Sequence, residues 1–373
     1  MQNIFKNYIY PVVTLTGSII GVGFLSLPYI TLQVGSWVML FYFIVLIAIV
    51  LSVHIIFTKI CLKTPDFKRW PGFVEFYFGK PFKIIIMPLI ILGIFGVMLV
   101  YMIVGGKFLT AIFSESIQVN ELLYVLCYWV LANIFIFFGV KVISKFNFWA
   151  LVLLVGLLVF IFIEGFSKVN ISNIFIGHDQ LNPKNLFLPY GAILFALWGT
   201  GLIPEVEEML EGKKHLLKNI VIIATLIPAI IYIVFILLIL SITGNQTTES
   251  ALVGVKNVLG DGVISIVLFI GVITTFIAFI SQGLLLKKIL IYDAGVKVIP
   301  AFLIVFLVPI MLFLVGFNSF IQLISFIGGV LLGIEGILIL IMYTKIGGKK
   351  IIAYPLMLVF ILGIIYSLMY SIN

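Results

Sequence analysis

Two short stretches concentrate the residues able to act on a ligand. The first, Thr16-Gly17-Ser18-Ile19-Ile20-Gly21-Val22-Gly23-Phe24-Leu25-Ser26-Leu27-Pro28, carries three glycines in seven residues and closes on a proline. The second opens on Pro189-Tyr190-Gly191 and runs through Phe195-Ala196-Leu197-Trp198-Gly199-Thr200-Gly201 to Pro204-Glu205. Glycine costs roughly 1 kcal/mol against alanine inside a helix, so each cluster predicts a break. Lipid cannot satisfy the N–H and C=O groups that a break frees, so a break at membrane depth must face protein or a watery cavity. Freed N–H groups at a half-helix N-terminus suit a carboxylate, and freed carbonyls suit an ammonium or a small cation. Close helix packing alone would also use glycines, but two such clusters in corresponding spans favour breaks. The chemistry read here is the gripping of a zwitterion, not the making of bonds.

The rest of the chain carries no enzyme signature. There is no nucleophile elbow, no P-loop lysine motif and no zinc-type histidine pair. Cys61 and Cys127 stand apart and read as small packing residues, neither a disulfide nor a metal pair. Three polar positions, Glu335, His54 and Lys107, lie deeper in apolar runs than loop bases should, and an ionisable group in a bilayer is a functional candidate by default. Glu335 is the most central and reads as a structural hydrogen-bonding group, a gate or a proton relay. His54 reads as a satisfied packing histidine whose titration range would also suit a relay. Lys107 can snorkel to the outer interface or contact the vestibule. Glu205 stands at the inner end of its span, where pairing with Lys6 would form a cytoplasmic gate. Its neighbours Glu207, Glu208 and Glu211 read as a solvated face answering Lys213, Lys214 and Lys218.

The elements that must position these residues follow from composition. Of 373 residues, 63% are hydrophobic and 10% charged, with a mean hydropathy of +1.34. A helical crossing takes roughly 20 apolar residues, and the predicted fold is an all-α integral membrane protein. Eleven apolar runs stand out: 8–33, 36–60, 83–113, 120–140, 146–165, 187–210, 217–241, 262–290, 298–316, 319–343 and 352–370. The first continues directly into further spans and reads as a retained helix, not a leader. With the N-terminus in the cytoplasm, only Lys107, Lys168, Lys184 and Lys256 of the 22 basic residues fall outside, which is the positive-inside pattern. The C-terminus is then outside. The net charge of +8 is explained by topology and lipid headgroups, with no basic face for nucleic acid.

The glycine clusters lie in spans one and six, and five spans is an odd number, so a repeat starting at span six enters from the opposite side. The chain reads as a single domain over 1–373, with inverted repeats at 8–165 and 187–343 and an additional helix at 352–370. Such 5+5 repeats, with first and sixth helices broken at the midplane, suit alternating access.

These motifs resemble the amino acid, polyamine and organocation transporter superfamily, whose members share the leucine-transporter-like fold. Gly17-Ser-Ile-Ile-Gly-Val-Gly-Phe looks like its first-helix motif and Phe195-Ala-Leu-Trp-Gly-Thr-Gly like its sixth. Pro189-Tyr190-Gly191, Pro204-Glu205 and Thr274-Thr275-Phe276 are closest to the amino acid/auxin and aromatic amino acid permease branches. Many relatives have twelve spans, one more than is read here. The resemblance implies that N–H groups of Gly21, Val22 and Gly23 hold a substrate carboxylate. It implies that carbonyls of Phe195, Ala196, Leu197 and Trp198 take the amino group, with Phe195 as an aromatic lid. It also implies a sodium site from carbonyls of Gly17, Ile20 and Gly271 and hydroxyls of Thr274 and Thr275, an oxygen-only set suited to a hard cation. Proton-coupled relatives place a lysine in helix five or a glutamate after the sixth-helix break. Span five has no lysine between Asn147 and Ile163, and Gly201 stands in the glutamate's place. No cofactor beyond Na⁺ or H⁺ is expected.

The reading is a secondary transporter in the plasma membrane, importing a neutral, large apolar or aromatic L-amino acid with a cation, Na⁺ ahead of H⁺. Its side-chain preference comes from an apolar wall of Phe195, Leu197 and Trp198. The partners are then the amino acid and the bilayer, and a monomer is compatible with the reading. A sensor of the same fold that binds without transporting, as in spore germinant receptors, is the second reading, and a passive channel the third.

Overall fold

The apolar runs are helical for a simple reason: in lipid the backbone must satisfy its own hydrogen bonds, and a helix does so within one segment. The computed structural model describes residues 5–114, 119–139, 143–175, 185–210 and 212–372, with the side chains of 6, 143–151, 261–264 and 370–372 left aside. The chain opens with a π-turn at Phe5–Ile9 and α1 (Tyr10–Ile19), then a 3₁₀ turn at Gly23–Ser26 and α2 (Leu27–Val34). Next come α3 (Ser36–Lys63), the short α4 (Trp70–Phe78), α5 (Lys80–Phe113), α6 (Glu121–Phe138) and α7 (Ile143–Gly165). The second half has α8 (Leu188–Leu197), a 3₁₀ turn at Thr200–Leu202, α9 (Ile203–Met209), α10 (Leu217–Thr243), α11 (Leu252–Leu259) and α12 (Asp261–Lys288). It finishes with α13 (Val298–Leu314), α14 (Phe320–Phe326), a π-turn at Ile327–Leu331, α15 (Leu332–Lys345) and α16 (Lys350–Ile372).

Among the described residues seven helices are long and apolar enough to cross a membrane, or eight if the pair Asn7–Ile19 and Gly23–Val34, bent by 48°, is one crossing. The chain is thus an all-helical, multi-pass membrane protein with a broken first helix. The helix α13 is a shorter apolar helix, and the predicted span 187–210 is divided between α8 and α9. Large apolar side chains face outward along the long helices, Phe138 being 76% exposed and Ile351 81%. That is the surface lipid requires.

The broken helices form the centre. The helix α1 packs on α10, α7 and α9, and α8 packs on α2, on the Gly23–Ser26 turn, on α3 and on the Ile327–Leu331 turn. Around them α12 lies along α5, and α15 lies against α3 and α16. The interior is apolar apart from a few fully buried polar side chains, among them Thr16, His54, Thr200, Thr225 and Thr275.

Candidate functional site

The last helical N–H bond of α1 runs from Ile20 to the Thr16 carbonyl (3.0 Å), and the Gly21 N–H, expected to be free for a carboxylate, turns back instead to the Ile19 carbonyl (2.9 Å). After them the chain turns, and helix begins again at Gly23. The first N–H groups of a new helical segment and the last carbonyls of the old one have no partner within the helix, so this turn offers donors and acceptors side by side. In the second break α8 ends with the Trp198 N–H on the Leu194 carbonyl at 3.0 Å. The next amide, Gly199, donates instead to His54 Nε2 on α3, at 3.2 Å.

The two breaks touch. A methyl group on Gly23 would stand 2.6 Å from the Phe195 ring and 3.2 Å from the Ala196 Cα, so only glycine allows this approach. Tyr232 on α10 joins them: its buried hydroxyl is shared between the Ile19 carbonyl at 3.2 Å and the Ala196 carbonyl at 3.1 Å. Its ring stacks on Phe24 with centroids 5.2 Å apart. Reading the sequence missed Tyr232, because a tyrosine in an apolar helix is indistinguishable from core packing until its partner is known.

A cavity of about 70 Å³ opens beside the first break, lined by Gly17, Ile20, Gly21, Val22, Gly271 and Thr274 together with Tyr101 and aliphatic side chains. That volume has room for a few waters. Tyr101, on α5, was also missed; its hydroxyl lies 2.7 Å from where a Cβ on Gly21 would be. Its ring is 7% exposed.

Of the residues expected to hold sodium, four share this cavity. The Thr274 hydroxyl donates to the Gly271 carbonyl at 3.0 Å. Thr275 does not line it: its hydroxyl donates to Val272 O at 2.9 Å, and its side chain meets Tyr128. Consecutive helical residues point about 100° apart, so one helix face cannot present both threonines equally.

The expected apolar wall divides in the same way. Phe195 faces Gly23 at the first break. Trp198 turns to the other side, its ring 6.0 Å from His54 and 6.1 Å from Phe360. Leu197 is fully buried. The Ala196 carbonyl, expected to be free for an ammonium, already accepts from Tyr232.

The ionisable candidates find particular partners. His54 Nε2 accepts from Gly199, so Nδ1 carries the hydrogen and donates to Thr225 Oγ1 at 2.9 Å; Thr225 passes its own to Val221 O at 2.8 Å. Glu335 on α15 accepts from the Thr200 hydroxyl. Lys107 pairs with Glu249 at 3.2 Å, just before α11, and so ties α5 to the loop that leads into α11. Glu205 lies at the start of α9 with Arg69 and Lys288 acting on it; the expected partner side chain, Lys6, lies outside the described residues. Glu207 pairs with Lys214 at 2.7 Å, as expected, but its side chain is only 13% exposed and so is not on the solvated face read from the sequence. Outside the spans Lys83 hydrogen-bonds Glu75 at 2.8 Å and holds its carboxyl below the usual carboxylate range.

Comparison with known proteins accords with this geometry. The model of the tryptophan/tyrosine permease family matches residues 6–258. Glutamine transporter 2 of Aliivibrio fischeri is 23% identical over 244 residues, 63% of this chain, and the chain spans only 61% of that relative's length. Among solved structures, Mhp1, a nucleobase-cation-symport-1 family transporter in a closed conformation with bromovinylhydantoin bound, superposes with a TM-score of 0.67. It is 12% identical over 90% of this chain and 77% of its own. MhsT in complex with L-phenylalanine gives 0.61, with 15% identity over 97% of this chain and 98% of its own. A manganese transporter of Eremococcus coleocola gives 0.59, with 12% identity over 99% and 95%. At these identities the likeness is one of fold, and the fold is leucine-transporter-like.

Proposed function

The chain belongs to the tryptophan/tyrosine permease family, a family of transporters and not of enzymes, and from that membership we propose that it moves a neutral, large apolar or aromatic L-amino acid across the plasma membrane by alternating access, coupled to a cation. In this reading the chain crosses eleven times, with the N-terminus in the cytoplasm, and residues 8–165 and 187–343 are inverted repeats followed by a last helix. The substrate carboxylate rests on the N–H groups of Gly21, Val22 and Gly23, with the Tyr101 hydroxyl as a further donor. The amino group faces carbonyls at the end of α8, between Phe195 and Trp198, and Phe195 closes over the side chain. Sodium is the first candidate for the coupling ion, at Gly17, Ile20, Gly271 and Thr274; Thr275, turned toward Tyr128, stands outside that set.

One observation carries the proposal: two helix breaks, far apart in sequence, meet at Gly23 and Phe195 and share the Tyr232 hydroxyl. Packing alone asks for small residues and does not ask for two interrupted ladders in contact. The family name points to aromatic amino acids, and the name of the curated relative adds glutamine to the neutral candidates.

Uptake of labelled L-tryptophan, L-tyrosine, L-phenylalanine and L-glutamine into proteoliposomes tests the reading, with and without an imposed Na⁺ or pH gradient. Saturable accumulation above the outside concentration is expected for at least one of them. Binding without accumulation would make the chain a sensor, and non-saturating flux indifferent to both gradients would make it a channel.

A further inference from the structure

The second break is held from two sides by side chains that can gain or lose a proton. On one side His54 accepts the Gly199 N–H; on the other, Glu335 accepts the hydroxyl of the very next residue, Thr200. The His54 contact is closed: its tautomer is fixed by Gly199 and Thr225, and a proton added at Nε2 would expel Gly199. The Glu335 contact is open. Among the described residues the hydrogen bond that Glu335 accepts comes from a neutral donor, the Thr200 hydroxyl, and no cation pairs with it.

Three lysines on the elements around Glu335, Lys59, Lys63 and Lys345, are committed elsewhere. On α3, Lys59 lies over the Tyr343 ring at 5.9 Å and Lys63 donates to Ile346 O at 3.1 Å. Tyr343 is itself eight residues further along α15 than Glu335, about 12 Å at a helical rise of ~1.5 Å per residue. Lys345 reaches back to the carbonyl of Tyr77, on α4, at 2.6 Å, and Glu75 of α4 belongs to Lys83. Beside Glu335, Gly333 and Gly336 meet Ile364 and Phe360 of α16; the titratable Lys350 and Tyr354 lie in the first turns of that helix and Tyr366 toward its end. Glu205, on α9, is in none of the described ion pairs, and Arg69 and Lys288 act on it through charge alone.

A carboxylate without a cation within the span Phe320–Lys345 is disfavoured as an ion, because the low-dielectric surroundings do not solvate its charge. The residue as a whole is partly buried but its carboxyl is enclosed, so protons enter and leave it only through a crevice that admits water. We infer that the Glu335 carboxyl is a proton-binding site of the transport cycle, loaded when the break between α8 and α9 closes on substrate and emptied when that crevice admits water. Loading forms an O–H bond on the carboxylate from hydronium and leaves water; emptying reverses it on the other side of the membrane. Thr200 is the link, because it belongs to the break and hydrogen-bonds the carboxyl. The inference rests on the transporter reading above and adds a proton to whatever other cation travels.

The test is proton uptake by the purified full chain in weakly buffered detergent with a pH indicator, on adding whichever of L-tryptophan, L-tyrosine, L-phenylalanine or L-glutamine binds most tightly. Wild type should take up close to one proton per ligand bound, and Glu335→Gln should bind ligand and take up none. In proteoliposomes, wild type should accumulate up to about tenfold per unit of inward pH gradient, since one proton across one pH unit is a factor of ten; Glu335→Gln should only equilibrate. Ligand binding by wild type with no proton uptake, or uptake unchanged in Glu335→Gln, overturns this inference and leaves the transporter reading standing. Failure of all four amino acids to bind overturns the transporter reading and takes the inference with it. Should Glu335→Gln not fold, Thr200→Val removes only the hydrogen bond, and the pH profile of proton uptake must then move; an unmoved profile overturns the assignment.

Discussion

Tyr101 and His54 serve the two breaks in different ways, and mutation should separate them. The Tyr101 hydroxyl stands at Gly21, where a ligand carboxylate is proposed to rest, and a hydrogen bond to a charged group is worth about 1.5–3 kcal/mol. Tyr101→Phe keeps the packing, so uptake assays should find KM raised roughly tenfold or more with little change in maximal rate. An unchanged KM would remove Tyr101 from the site. His54 instead completes the fold: His54→Leu leaves the Gly199 N–H and the Thr225 hydroxyl without their partner, at a cost of about 1–3 kcal/mol. That loss should appear as a lower melting temperature in detergent even without ligand. The sequence marked His54 and Glu335 as unusual, because a polar residue inside an apolar run is conspicuous. It could not say what they hold. Their partners, Gly199 and Thr200, are 145 and 135 residues away in the chain, and nothing local encodes that distance.

At the scale of elements, the first break was legible because glycine content is a local property and three glycines in seven residues outweigh any helical preference. The second was legible for the same reason, and its ladder does stop at Gly199. Less visible was the clamp between them, since Tyr232 lies in an apolar helix that reads the same whether its hydroxyl is used or not. The side on which each residue of α8 points was also hidden, and Trp198 faces α3 and α16 where a common wall with Phe195 was expected. Gly23→Ala tests the contact itself. The added methyl would meet the Phe195 ring at 2.6 Å, so Phe195 or the backbone must shift. Binding should weaken by an order of magnitude or more, as overpacking typically costs ~1–3 kcal/mol, and isothermal titration would record it. Binding unaffected by the methyl would mean that the two breaks do not shape one site.

For the whole molecule, the asymmetry of lysine and arginine predicts the orientation, and the cytoplasmic ends it predicts carry an ion-pair cluster. Lys83 bridges Glu75 at 2.8 Å and Asp293 at 3.8 Å, tying the α4–α5 corner to the segment that follows α12. Because Lys83 holds the Glu75 carboxyl below its ordinary range, chiefly through the hydrogen bond and then through charge, the contribution of this pair is complete above that ordinary range. It is lost only as the pH falls through the depressed value. Thermal melts of wild type and Glu75→Gln should therefore differ at neutral pH and converge in acid, by a small amount, as exposed pairs contribute little. A difference that grew on acidification would refute the pairing. The central claim is that both breaks grip one zwitterion, and a density map of the chain with a bound amino acid tests it most directly. The account predicts the ligand carboxylate within hydrogen-bonding distance of the Gly21, Val22 and Gly23 amides and its amino group against the carbonyls that end α8. A ligand lodged elsewhere, or reversed so that its carboxylate meets those carbonyls, would contradict it.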